Sequence, residues 1–172
     1  MPDQPVTLSV ASLINDTSLN YGLVSAGTYD LTRSSLVVGQ VTPGDFTVAS
    51  SLYSLIFLMD DTNDYWVGFL FNYTTGDTSA QYSDGTAHLV SAPYDPTGHR
   101  YIRVGEESGQ VYWQTSPDGA GWNPMWAQPT ATVGTSIDLT SLTIKVGNAT
   151  NANEASSTSS VFDVISFTSP VS

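Results

Sequence analysis

Apolar positions along this chain recur at strand spacing and almost nowhere at helix spacing. The clearest case is "SLYSLIFLMDDTNDYWVGFLFNY", where runs starting at Ser51 and Tyr65 flank the polar loop Asp60 to Asp64. On the first run Leu52, Ile56 and Leu58 share one face, and Tyr53, Leu55, Phe57 and Met59 share the other. On the second, Tyr65, Val67, Phe69 and Phe71 oppose Trp66, Gly68 and Leu70. Both faces are largely apolar, which predicts a hairpin of central strands covered on both sides. One cover is an opposing sheet; the other is a long loop, a curved aromatic groove or a neighbouring subunit.

A second hairpin follows. "RYIRVGEE" and "QVYWQTS" read as strands joined through "ESGQ", and "SPDGAGW" turns tightly into a third strand, because Pro117 presets φ and Gly119 accepts a positive φ. Alternation predicts Ile102 and Val104 facing the core, with Tyr101 and Arg103 on the other side. On the partner strand Val111, Trp113 and Thr115 separate from Tyr112, Gln114 and Ser116. Downstream, "SLTIKVG" reads as a strand, the Asn/Ser/Thr-rich run from Asn148 to Ser160 as a long loop, and "SVFDVISF" as the closing strand. Turn clusters such as "TPGD", "SDGT", "PYDPTG" and "SPDG" punctuate the chain at short intervals. Together these predict an all-β fold, a two-sheet antiparallel jelly-roll sandwich with at most a turn or two of helix.

Length and composition narrow the picture. The 172 residues, 40% of them hydrophobic, suit one well-buried domain spanning 1–172, of which 1–44 carries no assignable motif. Sixteen Asp and Glu against four Lys and Arg give a formal charge of -12, which repels phosphate backbones and anionic membranes, so nucleic acid is not an expected partner. The absence of cysteine excludes disulfides, thiol nucleophiles and CxxC-type zinc sites. "MPDQPVTLSV" has no basic segment followed by a long apolar run, and no stretch approaches the roughly 20 apolar residues of a membrane span. The expectation is a soluble chain, unprocessed or trimmed from a larger protein, with no membrane insertion.

The order "RYIRV", "G.VYWQTSPDGAGW", "LTIKVG" and "FDVISF" resembles the second half of concanavalin A-like lectin/glucanase domains, the laminin-G-like jelly rolls in particular. "LMDDTNDYWVGFLF" is similar to that superfamily's strand, acidic loop and aromatic strand. The resemblance covers Asp45 to Phe167 loosely and His99 to Phe167 well. It implies a carbohydrate-related function and allows catalysis to be tested. Glucanases of the superfamily carry a Glu-x-Asp-x-Glu strand, whose outer carboxylates serve as nucleophile and acid/base about 5 to 5.5 Å apart. This chain has only Glu106, Glu107 and Glu154; the first two are adjacent, so a strand points them to opposite faces. No aspartates stand at i, i+2 or i, i+4 on a predicted strand, and His88 and His99 have no Ser, Cys or Glu motif beside them. The sequence therefore predicts no catalytic residues and no enzyme.

The expected function is instead a non-catalytic carbohydrate-binding, lectin-like module, of the kind found on the virion surface or tail of a bacteriophage, where it contacts host glycans. Two alternatives stand beside it: a structural or decoration protein whose aromatic surface is a subunit interface, and a secreted bacterial polysaccharide-binding module. All three imply a virion or extracellular location. Trp113, mid-strand, is expected in the core, whereas Trp66, Trp122 and Trp126 lie at strand ends or turns, where rings stack on sugars. Arg103 and Gln114 are their expected polar partners. The loop Asp60, Asp61, Asn63 and Asp64 offers oxygen ligands that would suit calcium, although its spacing matches no EF-hand, and a solvated hairpin turn is the simpler reading. Asp163, between Phe162 and Val164, is expected to be a hydrogen-bonded structural carboxylate. The sequons at Asn15, Asn72 and Asn148 matter only in a eukaryotic secretory host. The doubly apolar hairpin, Ser51 to Tyr73, predicts a homo-oligomer or docking on a larger assembly.

Overall fold

The computed structural model describes residues 6–10, 19–39, 52–150, 158–162 and 165–168. Thirteen strands account for most of them: β1 (Val6–Val10), β2 (Leu19–Tyr29), β3 (Ser35–Val38), β4 (Leu52–Asp60), β5 (Tyr65–Asn72), β6 (Asp77–Ser83), β7 (Ala87–Pro93), β8 (Tyr101–Glu107), β9 (Gln110–Ser116), β10 (Asn123–Pro129), β11 (Leu142–Thr150), β12 (Thr158–Phe162) and β13 (Ile165–Thr168). Helix among the described residues amounts to a 3-10 turn at Leu31–Arg33 and a single turn, α1, at Thr130–Val133. A six-stranded sheet runs β2-β11-β4-β5-β6-β7, a five-stranded sheet runs β10-β9-β8-β3-β13, and β1 pairs with β12. All pairings are antiparallel, as the jelly-roll reading requires.

The predicted hairpin is β4–β5, and it occupies the middle of the larger sheet. Period-2 alternation sends Ile56, Leu58, Val67, Phe69 and Phe71 into the space between the sheets, against Ile102, Val104, Val111 and Trp113 from the other layer. The opposite face of β4 is also covered: Leu55, Phe57 and Met59 form a second buried cluster flanked by Tyr53, Trp66 and Leu70. A single chain thus buries the face whose exposure was the reason to expect an oligomer, and that reason falls away.

Trp113 joins the two layers. Its indole is fully buried, and its Nε1–H donates across the sandwich to the carbonyl oxygen of Gly68, 2.9 Å away. Gly68 itself leaves no room for a side chain. A Cβ there would overlap the Ile56 carbonyl oxygen and lie 2.8 Å from the Phe57 ring and 2.9 Å from its Cα. Gly68→Ala is therefore expected to cost about 1–3 kcal/mol through forced displacement of β4 from β5. A fall in the urea midpoint would register that cost; an unchanged midpoint would show that the two strands part freely.

Two predicted boundaries shift. The polar run from Asn148 does not begin as a loop: β11 continues to Thr150 because Asn148, Ala149 and Thr150 pair with Ser54, Tyr53 and Leu52, and backbone ladders form regardless of side-chain polarity. The single closing strand is two, β12 pairing with β1 and β13 with β3. Asp163, Asn15 and the residues between Thr150 and Thr158 lie outside the described residues.

Candidate functional site

The five residues singled out as a sugar site separate into three places. Arg103, Gln114 and Trp122 come together on the outer face of the five-stranded sheet. The Arg103 Nε–H donates to Gln114 Oε1 at 2.6 Å, and the guanidinium lies over the Trp122 ring at 4.4 Å and near Tyr112 at 5.3 Å. Trp66 is on the other side of the sandwich, on the outer face of β5, stacked on Phe57 with centroids 5.3 Å apart. Its indole N–H is buried and meets no acceptor among the described residues.

Trp126 does not join an exposed rim. It packs on Trp113 at 4.8 Å and on Tyr82 at 5.6 Å. The reason is a register shift between Pro124 and Trp126: Pro124 pairs with Gln114, on the outer row, and Trp126 with Trp113, on the core row. One extra residue on a strand moves the following side chains to the opposite face.

A pocket of about 590 Å³ with a mixed polar and apolar lining opens at the end of the sandwich where the β4–β5 loop meets the segment between α1 and β11. Thr32, Asn63, Thr130, Ser136, Asp138 and Thr140 contribute hydroxyl, amide and carboxylate groups to its wall. Asp60 organises this end. Its carboxylate accepts from the backbone N–H of Thr62 (3.0 Å) and of Asn63 (3.4 Å), from Asn63 Nδ2 (3.0 Å), and from the N–H of Asp138, 78 residues away, at 3.0 Å. Burial pushes the Asp60 carboxyl up, but the Asp138, Asn63 and Thr62 donors together outweigh it and hold the group below its ordinary 3.8. Its oxygens are thus occupied by N–H donors, which makes it a structural clamp and leaves the calcium option for this loop without its central ligand.

That clamp has a pH signature. A carboxyl lowered in the folded protein stabilises it fully above the unfolded value, near 3.8, and loses the contribution as pH falls through the lower folded value. Stability in urea is expected to drop on acidification below about pH 4, more steeply for the wild type than for Asp60→Asn. Parallel profiles for the two proteins would remove Asp60 as a cause.

Two further carboxylates flank it. Asp61 is ion-paired with Lys145, Nζ to Oδ1 2.5 Å, and accepts from the Thr143 hydroxyl. The Lys145 hydrogen bond, then that of Thr143, keeps its carboxyl below the usual range. Asp138 is exposed on the pocket wall, and the hydrogen bonds it accepts, from the Thr140 N–H (3.0 Å) and hydroxyl (2.6 Å), both fall on Oδ1. Its Oδ2 has no protein donor among the described residues. The sequence pointed to the acidic loop but not to Asp138 or Lys145, which reach it only through long-range packing. Among the described residues no group of three or more His, Cys, Asp or Glu could hold a metal, and no helix is long and apolar enough to cross a membrane.

No family model matches the chain. No curated protein matches it either. Solved structures do. A β-1,3-1,4-glucanase (lichenase) derived from a mouse hindgut metagenome aligns with a TM-score of 0.67 at 10% identity, covering 97% of this chain and 80% of its own. The Bacillus licheniformis β-glucanase aligns at 0.63 and 14%, covering 84% and 69%. The catalytic domain of an endo-1,3-β-glucanase (laminarinase) from Thermotoga petrophila aligns at 0.60 and 5%, covering 86% and 68%.

At these identities the likeness establishes the fold, a two-sheet antiparallel jelly roll. It also corrects two expectations. The absence of a Glu-x-Asp-x-Glu strand led to a non-catalytic, lectin-like module and to no enzyme, yet solved structures that share the fold over most of the chain include glucanases. A bacteriophage virion setting finds no support among these neighbours.

Proposed function

We propose that the protein is a carbohydrate-active enzyme of the glucanase type, cleaving a β-linked glucan with aspartates at the loop end of the sandwich. The observation that carries this reading is the jelly roll shared with a lichenase over 97% of the chain. The pocket beside the β4–β5 loop supports it, since its hydroxyl, amide and carboxylate lining has the chemistry to hydrogen-bond sugar hydroxyls.

Glycoside cleavage asks two carboxyl groups to play different parts, which their surroundings must set apart. Asp138 is the carboxyl offered to a sugar in the pocket, with Oδ2 open towards the leaving oxygen. Asp60, bonded to the Asp138 N–H, positions it. Asp61, kept ionised by Lys145, is the second carboxylate at this end, suited to activating water or meeting the positive charge that develops on the sugar. The test is release of new reducing ends from mixed-linkage β-glucan and from laminarin. The reading expects release from at least one polymer by the wild-type protein; no release from either overturns it.

A further inference from the structure

Among the described residues, Arg103 is the cation seated between two aromatic rings and a side-chain amide. Lys145 is paired with Asp61, but among the described residues the Arg103 guanidinium meets no carboxylate. Its neighbours are the rings of Tyr112 and Trp122 and the amide of Gln114. All four side chains are half-buried, and all lie on the outer face of the five-stranded sheet or at its rim. The Tyr112 ring is laid across Gly105, where a Cβ would collide with its hydroxyl and sit 2.7 Å from Cζ, so the surface beside the guanidinium is flat. Trp122 is set by a locked turn. Asp118 Oδ1 accepts from the N–H groups of Ala120 (2.9 Å) and Gly121 (3.0 Å) and from the Ser116 hydroxyl (3.0 Å).

We propose that this face is a second carbohydrate-binding surface, built for a sugar unit that carries a carboxylate. The guanidinium keeps free the outer N–H groups that form a fork for a carboxylate, while Nε is already committed to Gln114, which fixes the orientation of the fork. The flanking aromatic rings supply the flat apolar contact that a pyranose CH face needs. A charge of -12 elsewhere on the molecule does not prevent this, because charges beyond about 8 Å are largely screened at physiological salt. The surface is also separate from the pocket. Strand β10, Asn123–Pro129, runs between Trp122 and Thr130, and its seven residues at about 3.3 Å each span roughly 20 Å. That a sugar is the ligand rests on the carbohydrate-active reading above; the preference for an anionic one rests on Arg103.

The test is titration of the isotope-labelled protein with trigalacturonate, and separately with the uncharged cellotriose, read at the Arg103 Nε–H and Trp122 indole N–H signals. The expected result is saturable shifts with trigalacturonate, at least tenfold weaker binding of cellotriose, and at least tenfold weaker binding of trigalacturonate by Arg103→Gln as read at Trp122. Reducing-end release from β-glucan by that variant should match the wild type. Equal binding of the two sugars, no shift up to millimolar trigalacturonate, or unchanged affinity in Arg103→Gln overturns the proposal. Because the readout is binding at named signals, its failure is distinct from a failure to hydrolyse glucan.

Discussion

Replacing Trp113 by alanine is expected to remove about 3–5 kcal/mol of folding stability, the range for emptying a buried aromatic site. The side chain is fully enclosed, stacks near Tyr82 and Trp126, and spans the gap between the layers to reach the Gly68 carbonyl. Truncation creates a cavity at the centre of the sandwich and removes the indole hydrogen bond to that carbonyl oxygen. Trp113→Phe separates the two contributions: it retains most of the apolar volume and loses only the N–H, so a smaller cost of about 1–3 kcal/mol is expected. Equilibrium urea unfolding of both variants decides the matter. An alanine cost below about 1 kcal/mol would mean that the core collapses around the gap and that Trp113 does not join the layers as described.

The second large effect concerns activity. Asp138→Asn keeps the size of the side chain and its backbone N–H bond to Asp60, yet removes the carboxyl to which the proposed cleavage assigns a part. Hydrolysis of the responsive glucan is expected to fall by about 10²- to 10⁴-fold, the usual contribution of general acid–base catalysis, with little change in unfolding midpoint because the residue is exposed. Asp60→Asn acts differently. It loosens the clamp and is expected to lower stability and activity together. Wild-type rates in Asp138→Asn would remove that residue from the chemistry.

Much of the sandwich was legible in the sequence because alternation is a local property. The faces of β4, β5, β8 and β9 follow from period-2 patterning alone, and Trp113, Ile102 and Val104 lie in the core as that pattern requires. Gly119 has φ +76 in the turn where the Asp-Gly pair demanded it. What failed was non-local or irregular. Nothing in "WNPMW" announces the shift that turns Trp126 inward, because a bulge is fixed by the partner strand and the ring it can reach. The polar end of β11 looks like a loop until β4 provides its ladder. Of the candidate site residues, Arg103, Gln114 and Trp122 are neighbours because two lie on paired strands and the third follows a short turn. The Asp60–Asp138 contact spans 78 residues, and no spacing rule connects those positions. Carboxylates were sought on one strand, whereas Asp60 closes β4 and Asp138, on the pocket wall, lies in the segment between α1 and β11.

The most direct test of the carbohydrate-active account is to incubate the protein with mixed-linkage β-glucan or laminarin in heavy-oxygen water and analyse the products by mass spectrometry. The account predicts short oligosaccharides, each with one heavy oxygen at its new reducing end, sharply diminished with Asp138→Asn. Polymers that keep their full length and acquire no heavy oxygen would contradict it.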